Sequence, residues 1–117
     1  MVYAIRGATT VGIDTRDEII ISTQELLNEI IAKNQLKKEE IVFILFTMTK
    51  DLKSAFPAYA ARLMGFTDVP LICAQELDIE GALEKCIRVL MLIQKDSTFT
   101  PKHVYLKDAK SLREDLT

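Results

Sequence analysis

In 117 residues the sequence has no tryptophan, one histidine, two cysteines, three prolines and four glycines. Each scarcity closes a class of function. The two cysteines, Cys73 and Cys86, are too few for a disulfide framework and do not have the spacing of a zinc site. The single histidine, His103, has no serine or cysteine in a recognisable nucleophile motif, so triad or acid–base chemistry is poorly supported. There is no Gly-rich phosphate loop and no serine-hydrolase elbow. No apolar run approaches the ~20 residues needed to span a bilayer. The apolar start is broken at Arg6 and Gly7, unlike a signal peptide. A soluble cytoplasmic protein with reduced thiols is expected. Positive charge is not in excess: 15 Lys and Arg stand against 17 Asp and Glu, a net charge of −2. That argues against a general nucleic-acid binder, although basic residues can still converge locally on a small anion. No repeat, low-complexity tract or linker interrupts the chain, so residues 1–117 read as a single domain.

What is present is a hydrophobic content of 49%, enough for a packed core. Val2–Val11, VYAIRGATTV, reads as a strand with a bulge or a close approach at Gly7, where a ligand or a backbone could come near. The segment DTRDEIIISTQELLNEIIAKNQ is the clearest element. Thr15 and Glu18 fit a capping box, and Ile19, Ile20, Leu26, Leu27, Ile30 and Ile31 form one helical face that includes polar Thr23. Lys33 suits the negative end of the helix dipole. The run EEIVFILFTMT fits a strand buried on both faces. FPAYAARLMG reads as a short helix with Pro57 in its first turn and Gly65 closing it. VPLICAQE and Lys102–Lys107 (KHVYLK) read as further strands. GALEKCIRVLMLIQ is ambiguous. Leu83, Ile87, Leu90 and Met91 fit a helical face, and the composition favours a helix. Strand alternation would instead put Cys86, Arg88, Leu90 and Leu92 on one side and Ile87, Val89, Met91 and Ile93 on the other.

One long helix covers only one face of a four- or five-stranded sheet, and the short Phe56–Gly65 segment is small for a second cover. Association of subunits is the simplest way to bury the remainder.

Arg88 is the anomaly. An unpaired guanidinium in an apolar interior costs at least several kcal/mol after relaxation. It must pair with a carboxylate such as Glu76, reach water along its stem, or face a bound anion. Arg6 is a second arginine in a strand-like stretch, beside Gly7. Its plain alternative is an exposed strand residue. Glu76 sits at or just beyond a strand end, where an exposed loop carboxylate is the ordinary case. Cys73 reads first as a small buried hydrophobe. Arg62 and Arg113 read singly as solvated surface, and Tyr105 as half-buried with its hydroxyl outward. An enzyme built from this inventory would use arginines, a carboxylate and a tyrosine. Such a set suits binding a small polyanion and stabilising charge that shifts during reaction.

The ordered pieces IRGATTV, FPA, VPLICAQELD, KCIRVL, HVYL and LREDL resemble, across nearly the whole chain, the monofunctional chorismate mutases of the AroH class. The resemblance implies an α+β fold: a mixed β-sheet covered by one long helix, with subunits packed as a homotrimer around a sheet core and sites at subunit interfaces. It implies a strand for KCIRVLMLIQ. It implies cofactor-free, metal-free rearrangement of chorismate to prephenate in aromatic amino-acid biosynthesis. By the same resemblance, Arg6 and Tyr105 hold a substrate carboxylate. Arg88 bonds the ether oxygen and the other carboxylate, and Glu76 accepts the ring hydroxyl with Cys73 beside it. Phe56, Ala58 and Arg62 line the site from the neighbouring subunit, and Leu112 and Arg113 belong to a tail that closes it. Two departures stand out. Tyr59 occupies a position where the family often has lysine, and LMGFTDVP looks about one residue short. Two other readings remain at this stage: an imine deaminase on a similar trimeric scaffold, and a non-catalytic module that senses a carboxylated metabolite.

Overall fold

The structure, a computed structural model, describes residues 1–116, with side chains through Arg113. Five strands and two helices follow the chain as β1 (Val2–Thr10), α1 (Arg16–Asn34), β2 (Ile41–Met48), α2 (Pro57–Leu63), β3 (Leu71–Gln75), β4 (Cys86–Gln94) and β5 (Val104–Tyr105). Short 3₁₀ segments cover Lys38–Glu40 and Lys107–Leu116. The sheet order is β3-β2-β4-β1-β5. The three central strands pair antiparallel, while β3 runs parallel to β2 and β5 parallel to β1. The sheet is therefore mixed, as expected. The ambiguous CIRVLMLIQ segment is its central strand.

Alternation decides which side chains are buried. Ile5 of β1, Ile44 and Phe46 of β2, and Val89, Met91 and Ile93 of β4 face a core shared with Leu26, Leu27 and Ile30 of α1 and Ala58 and Ala61 of α2. In β4 this is the Ile87, Val89, Met91, Ile93 face that alternation from Cys86 assigns. Among the described residues the opposite face is covered only at one end, where Ala8, Cys86 and Tyr105 pack with Ala109 and Leu112; the rest is open. Leu90 is 37% exposed and Ile72 63% exposed, and Phe43, Leu45 and Leu92 are only partly buried. The expectation that β2 is buried on both faces holds for one face in a single chain.

The helix ends follow their sequence signals, except that only the Thr15 half of the expected capping box forms: the Thr15 amide donates to the Ile13 carbonyl at 2.9 Å. Thr15 Oγ1 accepts from the Glu18 amide at 3.2 Å, which satisfies one of the first-turn donors. Thr23, buried on the apolar stripe, donates its hydroxyl to the Ile19 carbonyl at 2.7 Å. Helix α2 ends at Gly65, φ 93°. The Gly65 and Phe66 amides there bond back to Arg62 and Ala61 at 3.0 and 3.1 Å, the Schellman pattern that a left-handed glycine permits.

Gly7 is needed for packing against α1. A Cβ there would lie 2.8 Å from Ile30 Cδ1 and 3.3 Å from the Val104 carbonyl oxygen. On its side-chain side the close approach comes from the helix and β5. The pairing of β1 runs without interruption through Gly7, and the sheet's irregularity lies instead between Ile41 and Phe43 of β2. The final strand is shorter than KHVYLK suggested, only Val104–Tyr105.

Candidate active site

Arg88 stands on the uncovered face of the central strand, opposite Ala8 of β1 and Thr47 of β2. Its Nε lies 3.0 Å from Glu76 Oε1, with the arginine side chain 45% and the glutamate side chain 19% exposed. Thr47 donates its hydroxyl to the same Oε1 at 2.6 Å, and the Glu76 amide donates to the Met48 carbonyl at 2.8 Å. The carboxylate is thus held from two strands. Both side-chain contacts fall on one of its oxygens, which leaves the other without a protein hydrogen bond among the described residues. Arg6, Tyr105, Glu76 and Arg88 line one cleft of about 230 Å³, floored by Leu45, Thr47 and Leu90. The arginine is therefore neither unpaired nor buried: it pairs with Glu76 and lines the cleft.

The supports behind these residues are specific. The Arg6 amide donates to His103 Nδ1 at 2.9 Å. That contact makes His103 an acceptor at Nδ1 and places its ring proton on Nε2. Burial, reinforced by Arg6 and Arg113, lowers the His103 pKa below the usual histidine value, so the ring is neutral at neutral pH. Tyr105 is 8% exposed, more buried than expected, and packs with Ala8, Cys86 and Ala109. Leu112 packs against this same cluster. Arg113 breaks the 3₁₀ segment at φ −141°, ψ 67° and acts electrostatically on His103. Burial pushes the Cys86 thiol up to about 11 and raises that of Cys73 as well, with Ala58 and Arg62 pulling the latter partly back. Both cysteines are protonated thiols at neutral pH, not nucleophiles.

The other expected residues gather elsewhere. Cys73 pairs in register with fully buried Phe46 and packs against the core beneath the helices. It therefore lies on the opposite face of the sheet from Glu76 and Arg88, a correction to the expectation that it sits beside Glu76. The reason is strand parity, because Cys73 belongs to the helix-facing series of β3. Its neighbours are Ala58, which is 6% exposed, and Arg62. Phe56, 67% exposed, and Arg62 line a larger cleft of about 410 Å³ together with Arg16, Lys53 and Tyr59. That cleft and the Arg88 cleft share no residue.

Three residues of these two regions were not singled out from the sequence: Thr47, His103 in its supporting role, and Arg16. Thr47 lies in an apolar run with nothing to mark it, and Arg16 reads as an ordinary first-turn residue. Among the described residues no cluster of His, Cys, Asp and Glu could hold a metal ion, and no helix is long and apolar enough to cross a membrane.

A guanidinium–carboxylate pair, a second arginine and a tyrosine on an open sheet face define a site for a small carboxylated molecule. The chain belongs to the chorismate mutase type I family, which it matches over residues 2–116. It is 47% identical to chorismate mutase AroH of Bacillus subtilis over 119 residues, covering 100% of this chain and 94% of that protein. It is 46% identical to chorismate mutase AroH of Thermus thermophilus, covering 99% and 97% of the two chains. The chorismate mutase structure from Clostridium thermocellum superposes with a TM-score of 0.90 at 54% identity, covering 93% of this chain and 98% of that one. Family membership decides against the imine-deaminase and sensor readings.

Proposed function

We propose that this chorismate mutase converts chorismate to prephenate at sites assembled from two copies of the chain. One copy supplies Arg6, Glu76, Arg88 and Tyr105. The next supplies Phe56, Ala58, Arg62 and Cys73 from its helix-side edge, and Leu112 and Arg113 border the first set. The observation that carries the reading is the Arg88–Glu76 pair, 3.0 Å apart on an uncovered sheet face, in one cleft with Arg6 and Tyr105. Composite sites are supported by parity. The two residue sets lie on opposite faces of one sheet, so a single small substrate cannot touch both within one chain. The uncovered apolar face around Leu45, Ile72 and Leu90 supports association, and a homotrimer is the assembly proposed.

The chemistry suits this equipment. The rearrangement is an intramolecular [3,3] shift that needs no nucleophile and no proton transfer. The C–O bond breaks ahead of C–C bond formation, so negative charge gathers on the ether oxygen. A guanidinium fixed there binds the transition state better than the substrate, which is the condition for raising kcat. Glu76 and Thr47 fix Arg88 before substrate arrives, so little reorganisation is needed during the reaction. Arg6 and Tyr105 hold a carboxylate and keep the flexible dianion in its compact reactive shape. Glu76, through its free oxygen, accepts the ring hydroxyl.

The test is loss of the chorismate diene absorbance. Arg88→Ala should lower kcat about 10²- to 10³-fold, as loss of one preorganised donor does elsewhere. Arg88→Lys should recover only part, because a point charge lacks the planar fork. Undiminished turnover in both variants removes Arg88 from the mechanism. A sizing measurement at monomer mass removes the composite site.

A further inference from the structure

The cleft beside Tyr59 is rich in positive charge. The Arg16 guanidinium carbon lies 5.0 Å from the centroid of the Tyr59 ring, and that of Arg62 lies 5.9 Å from it. Both arginines line the 410 Å³ cleft with Lys53 and Phe56. Two like charges drawn to one ring repel each other, and neither has a carboxylate partner among the described residues. The neighbouring carboxylate, Asp14, is spent on the backbone: its Oδ1 accepts from the Lys53 and Ser54 amides at 3.0 and 3.2 Å. Arg16 is also the first residue of α1, where a cation opposes the helix dipole. The helix dipole therefore gives no reason for an arginine there.

We propose that Arg16 is a substrate-capturing cation of the site, positioned by the face of Tyr59. The ligand is the dicarboxylate dianion. Tyr59 is a positioning residue, holding Arg16 over the cleft by the attraction of a guanidinium to an aromatic face. Arg16 raises the local concentration of the dianion and contributes equally to ground state and transition state, so its effect appears in KM. The inference rests on the Phe56–Arg62 edge being part of the active site.

The experiment measures kcat and KM for chorismate in the assembled enzyme at low and at 0.5 M added salt. Arg16→Ala should raise KM about fivefold to tenfold at low salt with a much smaller change in kcat, and the difference should shrink at high salt. Arg16→Glu should raise KM further. Tyr59→Leu should mimic Arg16→Ala in part. Tyr59→Lys, which places a cation directly at the cleft, should make the additional Arg16→Ala change nearly silent. A merely structural role for Tyr59 predicts no such rescue. An unchanged KM in Arg16→Ala and Arg16→Glu overturns the inference. If Arg62→Ala also leaves kcat/KM unchanged, the edge itself is not part of the site and the reading beneath the inference fails. If Arg62→Ala is impaired while Arg16 variants are not, only the inference fails.

Discussion

Both clefts hold two arginines and a tyrosine, but on different supports. In the Arg88 cleft the charges ride on β-strands. Arg88 is fixed by register against Thr47 and Ala8 and by Glu76, and Arg6 by the His103 contact to its own amide. In the Tyr59 cleft the charges come from the starts and turns of helices and a loop, Arg16, Lys53 and Arg62. There the arginines rest on a ring face rather than on a carboxylate. The difference matches two tasks. Stabilising charge that develops on one atom requires a donor placed before the reaction starts. Attracting and seating a dianion tolerates long, adaptable side chains, because it depends on field rather than on sub-ångström placement.

The sharpest way to break this comparison is to divide the site between chains. Arg88→Ala is the deepest single lesion, and Arg62→Ala should also be strongly impaired. Co-expressed in equal amounts, the two should regain about a quarter of wild-type activity, the share of interfaces that receives both intact edges by random assembly of a closed oligomer. Activity no higher than that of the separate variants would show that the two clefts do not meet.

A smaller effect tests the rigid support. Thr47→Val keeps the shape of the strand residue but removes the 2.6 Å bond to Glu76 Oε1. A lost hydrogen bond to a charged group is worth about 1.5–3 kcal/mol. With Arg88 still pairing the same oxygen, a fall of about tenfold in kcat is expected, at the lower end of that range. KM should change less. A KM effect without a kcat effect would assign Glu76 to binding only.

The smallest effect concerns pH. His103 is neutral in the fold and its pKa is lowered, so the unfolded chain binds more protons than the native one as pH falls through the usual histidine value. Its contribution to stability is therefore complete above about pH 6.5, the unfolded value, and is lost as pH falls toward the lower folded value. Protonation of Nδ1 also removes the acceptor for the Arg6 amide. The midpoint of thermal unfolding should drop by a few degrees between pH 7 and pH 5, and His103→Gln should flatten that part of the profile. The other acidic groups with lowered pKa, Asp14 and Glu40, lose their contributions only below the usual carboxylate range. An identical slope in wild type and His103→Gln would exclude His103 as the source.

Much of this was legible in the chain. The long helix, its Thr15 cap and the short helix closed at Gly65 follow from local rules of capping and periodicity, whereas Cys86–Gln94 fitted a helix as well as a strand and only the family resemblance implied the strand. Arg88 announced itself as a charge in an apolar stretch, and Glu76 was the carboxylate named as a partner for it. Three things were not legible. Cys73 sits only three residues from Glu76, yet parity and the strand end send the two to opposite faces. Gly7 was read as open to a ligand or a backbone, and the tertiary contact with Ile30 and the Val104 carbonyl supplies the backbone half, while Gly7 also borders the Arg88 cleft. Arg16 carries no local mark, and its meaning comes from a ring more than forty positions away.

The amino-acid order by itself determined both helices, the outer strands and which residues carry charge, because capping and hydrophobic period act over a few neighbours, but it left Cys86–Gln94 open between helix and strand. The tertiary structure alone decided which charges meet and on which face, because strand pairing joins residues far apart in the chain, and each step along a strand reverses the side from which its side chain projects.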